Sequence, residues 1–151
     1  MSTMSLTRRQ TVLCTLYALI SLAALIGTAS QLKPYLPLGF VNANIHFWQD
    51  TLVNAASRFI TVDIMFVFLV CWHWMLTEAR RLKMRAYGWY FPASLFIAFS
   101  ATLPIFMLHR ELARPADEAR AADRLGLLDW LSVVLVAAVA LGYTWRAITM
   151  A

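Results

Sequence analysis

The stretch FITVDIMFVFLVCWHWML, residues 59–76, decides the fold class of this chain. It is an apolar run of nearly the ~20 residues that a helix needs to cross ~30 Å of hydrocarbon. One carboxylate, Asp63, interrupts the run. A charged side chain inside such a span costs roughly 2.5–3.5 kcal/mol on insertion scales. We therefore expect Asp63 to face a polar partner or water rather than lipid.

The composition of the whole chain is typical of a membrane protein. Of its 151 residues, 61% are hydrophobic and only 14% are charged, with a mean hydropathy of +0.64. Soluble domains carry roughly 25% charged residues. The net charge of +5 comes from basic residues that flank the apolar runs, where they anchor and orient helices. Membrane lipid is therefore the expected partner, and no nucleic-acid partner is predicted.

Four apolar segments predict four transmembrane helices, at about residues 11–30, 59–76, 89–108 and 127–145. The runs are continuous rather than alternating, which excludes the strands of a membrane barrel. We predict an all-α fold: an integral membrane bundle of four helices that forms a single domain over residues 1–151. The first segment follows Arg8 and Arg9 and ends in small residues, so it also allows a signal peptide. Its length and the Ala23/Gly27 pair favour a retained helix.

The two longer connections also carry helical patterns. In the first outer loop, residues 31–57, apolar residues recur at three- and four-residue spacing and predict an interfacial amphipathic helix: Ile45, Trp48, Leu52 and Ala55. The connection over residues 115–126 begins with Pro115, ends with Gly126 and predicts a short charged helix in water.

Basic residues predict the orientation of the bundle. The loop between the second and third segments is dense in basic residues: Arg80, Arg81, Lys83 and Arg85. Such loops remain in the cytoplasm. If all four segments cross, both termini are also cytoplasmic, and seven basic residues lie inside against six outside. The dense loop decides the orientation, and we predict a multi-pass protein of the bacterial inner (cytoplasmic) membrane.

On this topology one membrane side gathers a candidate polar cluster: Asp63, Arg110, Glu111, His109, Asn54 and His46. Asp63 lies five residues inside Arg58, which places it about 7 Å below the outer boundary. Three interpretations of Asp63 stay open. It pairs with Arg110 or Arg58 and joins two helices, it belongs to a ligand or substrate site, or it reaches toward the headgroups without a partner.

A second, inner-side cluster closes the second segment and consists of His73, Glu78 and Arg81. Glu78 and Arg81 are three residues apart and predict an ordinary helical ion pair. The three histidines do not predict haem, because bis-histidine ligation needs two at equal depth on facing helices. No metal is predicted, since no pair of His, Cys or carboxylate residues has ligand spacing. Two cysteines within apolar runs, Cys14 and Cys71, imply no disulfide framework, and no cofactor is predicted.

Three motifs carry a resemblance to a known family. Asn54, Phe59 and Asp63 form the pattern N-x4-F-x3-D, residues 78–82 read EARRL, and residues 103–111 read LPIFMLHRE. This pattern resembles a family of small bacterial membrane proteins known only as a domain of unknown function, over about residues 11–111. The resemblance implies a helical membrane chain and supplies no activity. Carboxylates in an apolar helical bundle are also similar to those of small integral-membrane terpene cyclases.

Two classes of function follow from these patterns. In the first, the protein is a non-enzymatic partner or assembly subunit of a membrane complex and contacts another membrane protein or a second copy of itself. The short chain, the small-residue faces Ala23/Gly27 and Ala138/Gly142 and the lack of a complete catalytic set favour this class. In the second, it is a membrane-embedded enzyme or binder of an apolar lipid or isoprenoid, with Asp63 or Glu111 as proton donor. Catalytic residues are not assigned by the sequence.

Overall fold

Helices account for most of the backbone that the structure describes. A computed structural model of the protein describes residues 6–115 and 126–150. Its α-helices are α1 (Arg8–Ser30), α2 (Gly39–Asp50), α3 (Ala55–Arg81), α4 (Tyr90–Ala93), α5 (Phe99–Ala113) and α6 (Leu127–Met150). Two 3-10 segments, Lys33–Leu38 and Tyr87–Trp89, precede α2 and α4, and a π-helical segment, Ser94–Ala98, joins α4 to α5. The charged helix predicted after Pro115 lies outside the described residues.

Four helical stretches are long and apolar enough to cross a membrane: Arg8–Ser30, Ala55–Arg81, Tyr87–Ala113 and Leu127–Thr149. They confirm the predicted all-α class and the four apolar helical stretches. A helix in the first loop is also present, but it covers Gly39–Asp50 rather than Ile45 to Ala55. Ala55 instead begins α3, because the side chain of Asn54 caps that helix by accepting a 2.9 Å hydrogen bond from the Ser57 backbone N–H.

The third apolar stretch reverses direction in its middle. Tyr90 and Phe106 are sixteen residues apart, and a straight helix would separate them by about 24 Å. Their ring centroids are only 5.3 Å apart. Ala98, halfway between them, has an extended backbone with φ −177° and ψ 132°. Residues 90–98 and 99–113 are therefore the two arms of a helical hairpin, with Ala98 at its tip.

The hairpin tip lies beside the middle of α3. The ring centroid of Phe68, the central residue of α3, is 6.1 Å from that of Phe91 on one arm and 5.0 Å from that of Phe99 on the other. The hairpin thus enters and leaves at the Arg81 end of α3 and reaches about 20 Å along it. This geometry replaces the straight third crossing that the sequence predicts. Pro104, a residue type that commonly kinks or ends a helix, lies within α5, whereas the turn is at Ala98.

Helix α1 covers the hairpin and runs antiparallel to α5. Near its start, the Gln10 side chain donates a 2.9 Å hydrogen bond to the Glu111 backbone carbonyl. Near its middle, the Ser21 hydroxyl donates a 2.9 Å bond to the carbonyl of Ala101, close to the tip. Polar backbone at membrane depth is tolerated where protein buries it. The α1 contact therefore explains how the chain turns at this depth.

Helix α6 runs in the same direction as α1. Their C-terminal ends meet, because the Gln31 side chain donates a 3.1 Å hydrogen bond to the Ala147 carbonyl. The start of α1 and the end of α6 therefore lie at opposite ends of the bundle. The prediction that both termini share one side required a third crossing between them. The returning hairpin removes that crossing, so the described helices do not bring the two ends together.

The hairpin can be tested by its sidedness. Ala86 and Pro115 are exposed residues just before and just after it. In a background without Cys14 and Cys71, we expect Ala86→Cys and Pro115→Cys to react with an impermeant maleimide from the same side of the membrane. Leu36→Cys, at the far end of α1, serves as the control and should react from the opposite side. Labelling of positions 86 and 115 from opposite sides would contradict the hairpin and show that the third stretch crosses the membrane as a straight helix.

The contact between α1 and α6 gives a second test. A Cβ atom at Gly27 would lie 2.7 Å from Cγ2 of Thr144, whereas a Cβ at Gly142 meets nothing within 4 Å. We expect Gly27→Leu to lower the free energy of unfolding in detergent by roughly 1–3 kcal/mol through overpacking. Gly142→Leu is the matched control and should stay within about 0.5 kcal/mol of the unsubstituted protein. Equal effects of the two changes would contradict the packing of α6 on α1.

Candidate functional site

Charged side chains from α3 and α5 meet in one ionic cluster, which consists of Glu78, Arg81, Arg110, Glu111 and Arg114. The cluster lies where α3 ends and where the hairpin returns. Its two carboxylates are buried, with side-chain exposures of 11% for Glu78 and 3% for Glu111. Burial of charge is strongly unfavourable unless each group is paired and hydrogen-bonded. The pairing of each carboxylate therefore decides whether this site is structural or reactive.

Glu78 joins α3 to the hairpin through both of its carboxylate oxygens. Its Oε1 atom accepts a 2.7 Å bond from Nε of Arg110, and its Oε2 atom accepts a 2.8 Å bond from Nε of Arg81. Nη2 of Arg81 adds a 2.9 Å bond to Oε1. Two guanidinium groups thus donate to one carboxylate, and these charge-assisted hydrogen bonds are stronger than neutral ones.

Glu111 occupies the other side of the same arginine. Its Oε1 atom lies 2.8 Å from Nη1 of Arg110 and 3.5 Å from Nη1 of Arg114. Arg110 therefore bridges two carboxylates, and its guanidinium carbon lies 5.8 Å from the ring centroid of Trp74 on α3. A cation at this distance from an indole ring is further stabilised.

Gln10 brings α1 into the cluster. Its Oε1 accepts a 3.0 Å bond from the Thr7 backbone N–H, which completes a capping box at the start of α1. Its Nε2 donates to the backbone carbonyls of Glu111, at 2.9 Å, and Arg114, at 3.2 Å. These carbonyls lie at the end of α5, where helices leave acceptors unsatisfied. One buried side chain thus caps two helices.

A packed apolar layer lies next to the cluster on the hairpin side. Its buried residues are Met75, Ala79, Met84 and Phe106. Phe106 contacts the rings of Trp74 and Tyr90 edge to face, with centroids 5.5 and 5.3 Å away. The layer excludes water from one face of the ion pairs, which strengthens them. The arrangement joins α3 to the hairpin through paired charges.

The structure divides the outer polar cluster that the sequence predicts. Arg110 and Glu111 join Glu78 and Arg81, which were predicted on the inner side. Asp63 precedes Glu78 by fifteen residues of continuous helix and so lies about 22 Å from the ionic cluster. The expected pair of Asp63 and Arg110 is therefore absent, because the hairpin returns Arg110 to the end of the bundle that it left.

The predicted histidines are dispersed. His109 lies at the mouth of the hairpin, with Nδ1 3.1 Å from the Tyr90 hydroxyl oxygen. His73 is exposed on α3, and His46 is exposed on α2. Within residues 6–115 and 126–150, no three residues among His, Cys, Asp and Glu are grouped so as to hold a metal ion.

Two polar groups of the first loop have structural contacts. Asn54 caps α3, as described above. The Tyr35 hydroxyl donates a 2.6 Å hydrogen bond to the Asp50 carboxylate and thereby ties the 3-10 segment to the end of α2. This hydrogen bond is the main cause of a raised pKa of Tyr35. The tyrosine therefore stays protonated at neutral pH and keeps its role as donor.

Asp63 remains on the exposed surface of α3. It lines a shallow hollow with Arg58 and four apolar side chains of the same helix face: Ala55, Phe59, Val62 and Phe66. In the part of the chain that the structure describes, no hydrogen bond or ion pair reaches the Asp63 carboxylate.

Three contributors to the cluster escaped the sequence analysis: Gln10, Arg114 and Trp74 in its role beneath Arg110. Gln10 had a usable signal, because Thr7-x-x-Gln10 before an apolar run is the pattern of a capping box. No sequence pattern predicts the role of Arg114, since its position depends on where α5 ends.

These observations define a class: a small helical membrane protein in which buried ion pairs join one long helix, α3, to a helical hairpin. The family described as "Protein of unknown function DUF2834" matches residues 16–112, which is 97 of the 151 residues. The chain belongs to this family, as the motif resemblance predicts. No curated protein and no solved structure matches the chain.

The bridge between Glu78 and Arg110 can be measured by a double-mutant cycle in detergent. We expect Glu78→Ala or Arg110→Ala alone to lower the free energy of unfolding by roughly 3 kcal/mol, because each removes one of the two ion-pair partners of a buried charge. The double substitution should recover roughly 1–2 kcal/mol of the summed loss. Arg80→Ala, an exposed neighbour, is the control and should change stability by less than about 0.5 kcal/mol. Strict additivity would show that the two charges are not coupled.

Proposed function

We propose that this protein is a non-enzymatic partner or assembly subunit of a bacterial inner-membrane complex, and that it contacts its partner through the outer half of α3. The observation that carries the proposal is Asp63, an exposed carboxylate in a membrane-spanning helix. It has no described partner within its own chain.

The packing of α3 is asymmetric, which supports the proposal. From Phe68 to Glu78 the helix packs on the hairpin through aromatic, apolar and ionic contacts. From Ala55 to Val67 most side chains are exposed, Phe59 to 74% and Phe66 to 65%. Apolar residues there are satisfied by lipid, but the carboxylate between them is not.

The chemistry of Asp63 specifies what should cover it. A membrane helix that offers an arginine, a lysine or an amide donor at the same depth would pair with the carboxylate and bury the neighbouring phenylalanines. Charged residues within membrane spans usually find such a group in a bundle interior. If the partner is a second copy of this chain, the same contact forms a homo-oligomer.

The second function class has less support from the geometry. Glu111 is 2% exposed and its carboxylate contacts two arginines, so it is engaged in ion pairs and shielded from a substrate. Asp63 lies in an open hollow whose described lining comes from α3 alone. An enzyme or isoprenoid binder with either residue as proton donor is therefore the less supported alternative.

We also propose a revised topology. The hairpin returns Arg110 and Arg114 to the end that carries the dense basic loop, so eight basic residues flank that end: Arg8, Arg9, Arg80, Arg81, Lys83, Arg85, Arg110 and Arg114. Among the described residues, the other end has three: Lys33, Arg58 and Arg146. This bias favours a cytoplasmic position for the ionic cluster and for the N-terminal end of α1. The end of α6 then faces the opposite side.

Affinity purification from native membranes in mild detergent tests the proposed assembly. We expect the tagged protein to retain another membrane protein or a second copy. Asp63→Leu should lose that partner, because it removes the carboxylate from a largely apolar face, while Asp63→Asn should retain part of the binding through hydrogen bonding. Stability of Asp63→Leu serves as the control and should change by less than about 0.5 kcal/mol, since the side chain has no internal partner to lose. A strictly monomeric protein, or full retention of the partner by Asp63→Leu, would refute the proposal.

A further inference from the structure

A groove of about 360 Å³ lies between α1 and the two arms of the hairpin. Its volume is within the range of small-molecule sites, which is roughly 300–1,000 Å³. Most of its walls are apolar, and they include Leu25 of α1, Ala93 and Ile97 of the first arm, and Ile105 of the second. The groove is separate from the ionic cluster and from Asp63, and neither role described above uses it.

The groove has a polar end and an apolar end. Arg85, Tyr90 and His109 lie at the open end of the hairpin, whereas Ile97 lies next to the tip. From His109 to Ala101 the lining extends over eight residues of α5, or about 12 Å. A bound molecule must therefore be amphipathic, with a polar group near the membrane surface and an apolar part that points toward the middle of the bilayer.

The polar end favours a negative charge. Arg85 is exposed, and no ion pair joins it to a described carboxylate, in contrast to the arginines of the ionic cluster. The Tyr90 hydroxyl lies 3.1 Å from Nδ1 of His109. When Tyr90 donates this bond to Nδ1, the N–H on Nε2 stays available as a donor. A guanidinium and an imidazole N–H together suit a phosphate oxygen.

We propose that this groove binds one anionic phospholipid, with its phosphate at Arg85 and His109 and an acyl chain between α1 and the hairpin. Basic pockets between membrane helices bind lipid headgroups in this way. An acyl chain fits this narrow apolar groove, which is too small for a helix of another protein. Free phosphate lacks the apolar part that most of the groove would contact.

The full-length protein, purified in detergent and mixed with defined lipids, allows a direct test by native mass spectrometry. We expect one phosphatidylglycerol to be retained in preference to phosphatidylcholine. Arg85→Gln should weaken phosphatidylglycerol binding roughly tenfold through the loss of a charge-assisted hydrogen bond. Arg80→Gln makes the same change of charge at an exposed site outside the groove and should bind like the unsubstituted protein.

A second variant tests the apolar part. Ala93→Phe should fill the groove and abolish retention of both lipids, and circular dichroism should confirm that each variant is folded. Equal binding of the two lipids by the unsubstituted protein would overturn the proposal, as would equal losses from Arg85→Gln and Arg80→Gln. Inorganic phosphate that competes as well as phosphatidylglycerol would instead identify a soluble anion site. If Asp63→Leu loses its protein partner but still retains the lipid, the two proposals are separable and this one stands.

Discussion

The bridge that Arg110 forms between Glu78 and Glu111 is the interaction on which this architecture depends. Glu78 belongs to α3, Glu111 belongs to the hairpin, and Gln10 of α1 caps the same turn of α5. Each buried charge would be costly alone, so the groups are stable only together. Removal of one therefore affects three helices at once. Apolar packing within a bilayer has no comparable specificity, because lipid tails satisfy apolar side chains as well as protein does.

The ionic cluster and the reversal at Ala98 depend on each other. In a straight helix Arg110 would lie about 30 Å from Tyr90, at the membrane face opposite Glu78. The turn returns Arg110 to the level of Glu78. As a result, polar backbone lies at the depth of Phe68, where the Ser21 hydroxyl of α1 donates to the Ala101 carbonyl. This hydrogen bond near the tip and the ion pairs at the base thus stabilise the same hairpin from its two ends.

Sequence patterns predicted what depends on composition and failed where the outcome depends on tertiary contacts. The apolar runs and their lengths predicted the four helical stretches, because the bilayer fixes the length of a spanning helix. They could not reveal the hairpin, since an apolar run has the same composition whether its helix crosses the membrane or turns back within it. Proline commonly breaks a helix, yet α5 continues through Pro104, and the chain turns at Ala98, which has no turn-forming side chain. That single difference moved Arg110 and Glu111 to the other polar cluster.

The family match includes the parts of the chain on which both proposals rest. It covers residues 16–112, which include the exposed half of α3, the hairpin and the groove, and exclude α6. Helix α6 leaves Gly142 open and contacts α1 near Gly27, at the far end from the ionic cluster. The matched region combines a fixed element, the hairpin held by paired charges, with a carboxylate on α3 that its own chain leaves exposed. A rigid base with one unsatisfied polar group on a membrane-spanning face is the arrangement expected of a subunit whose partner completes it.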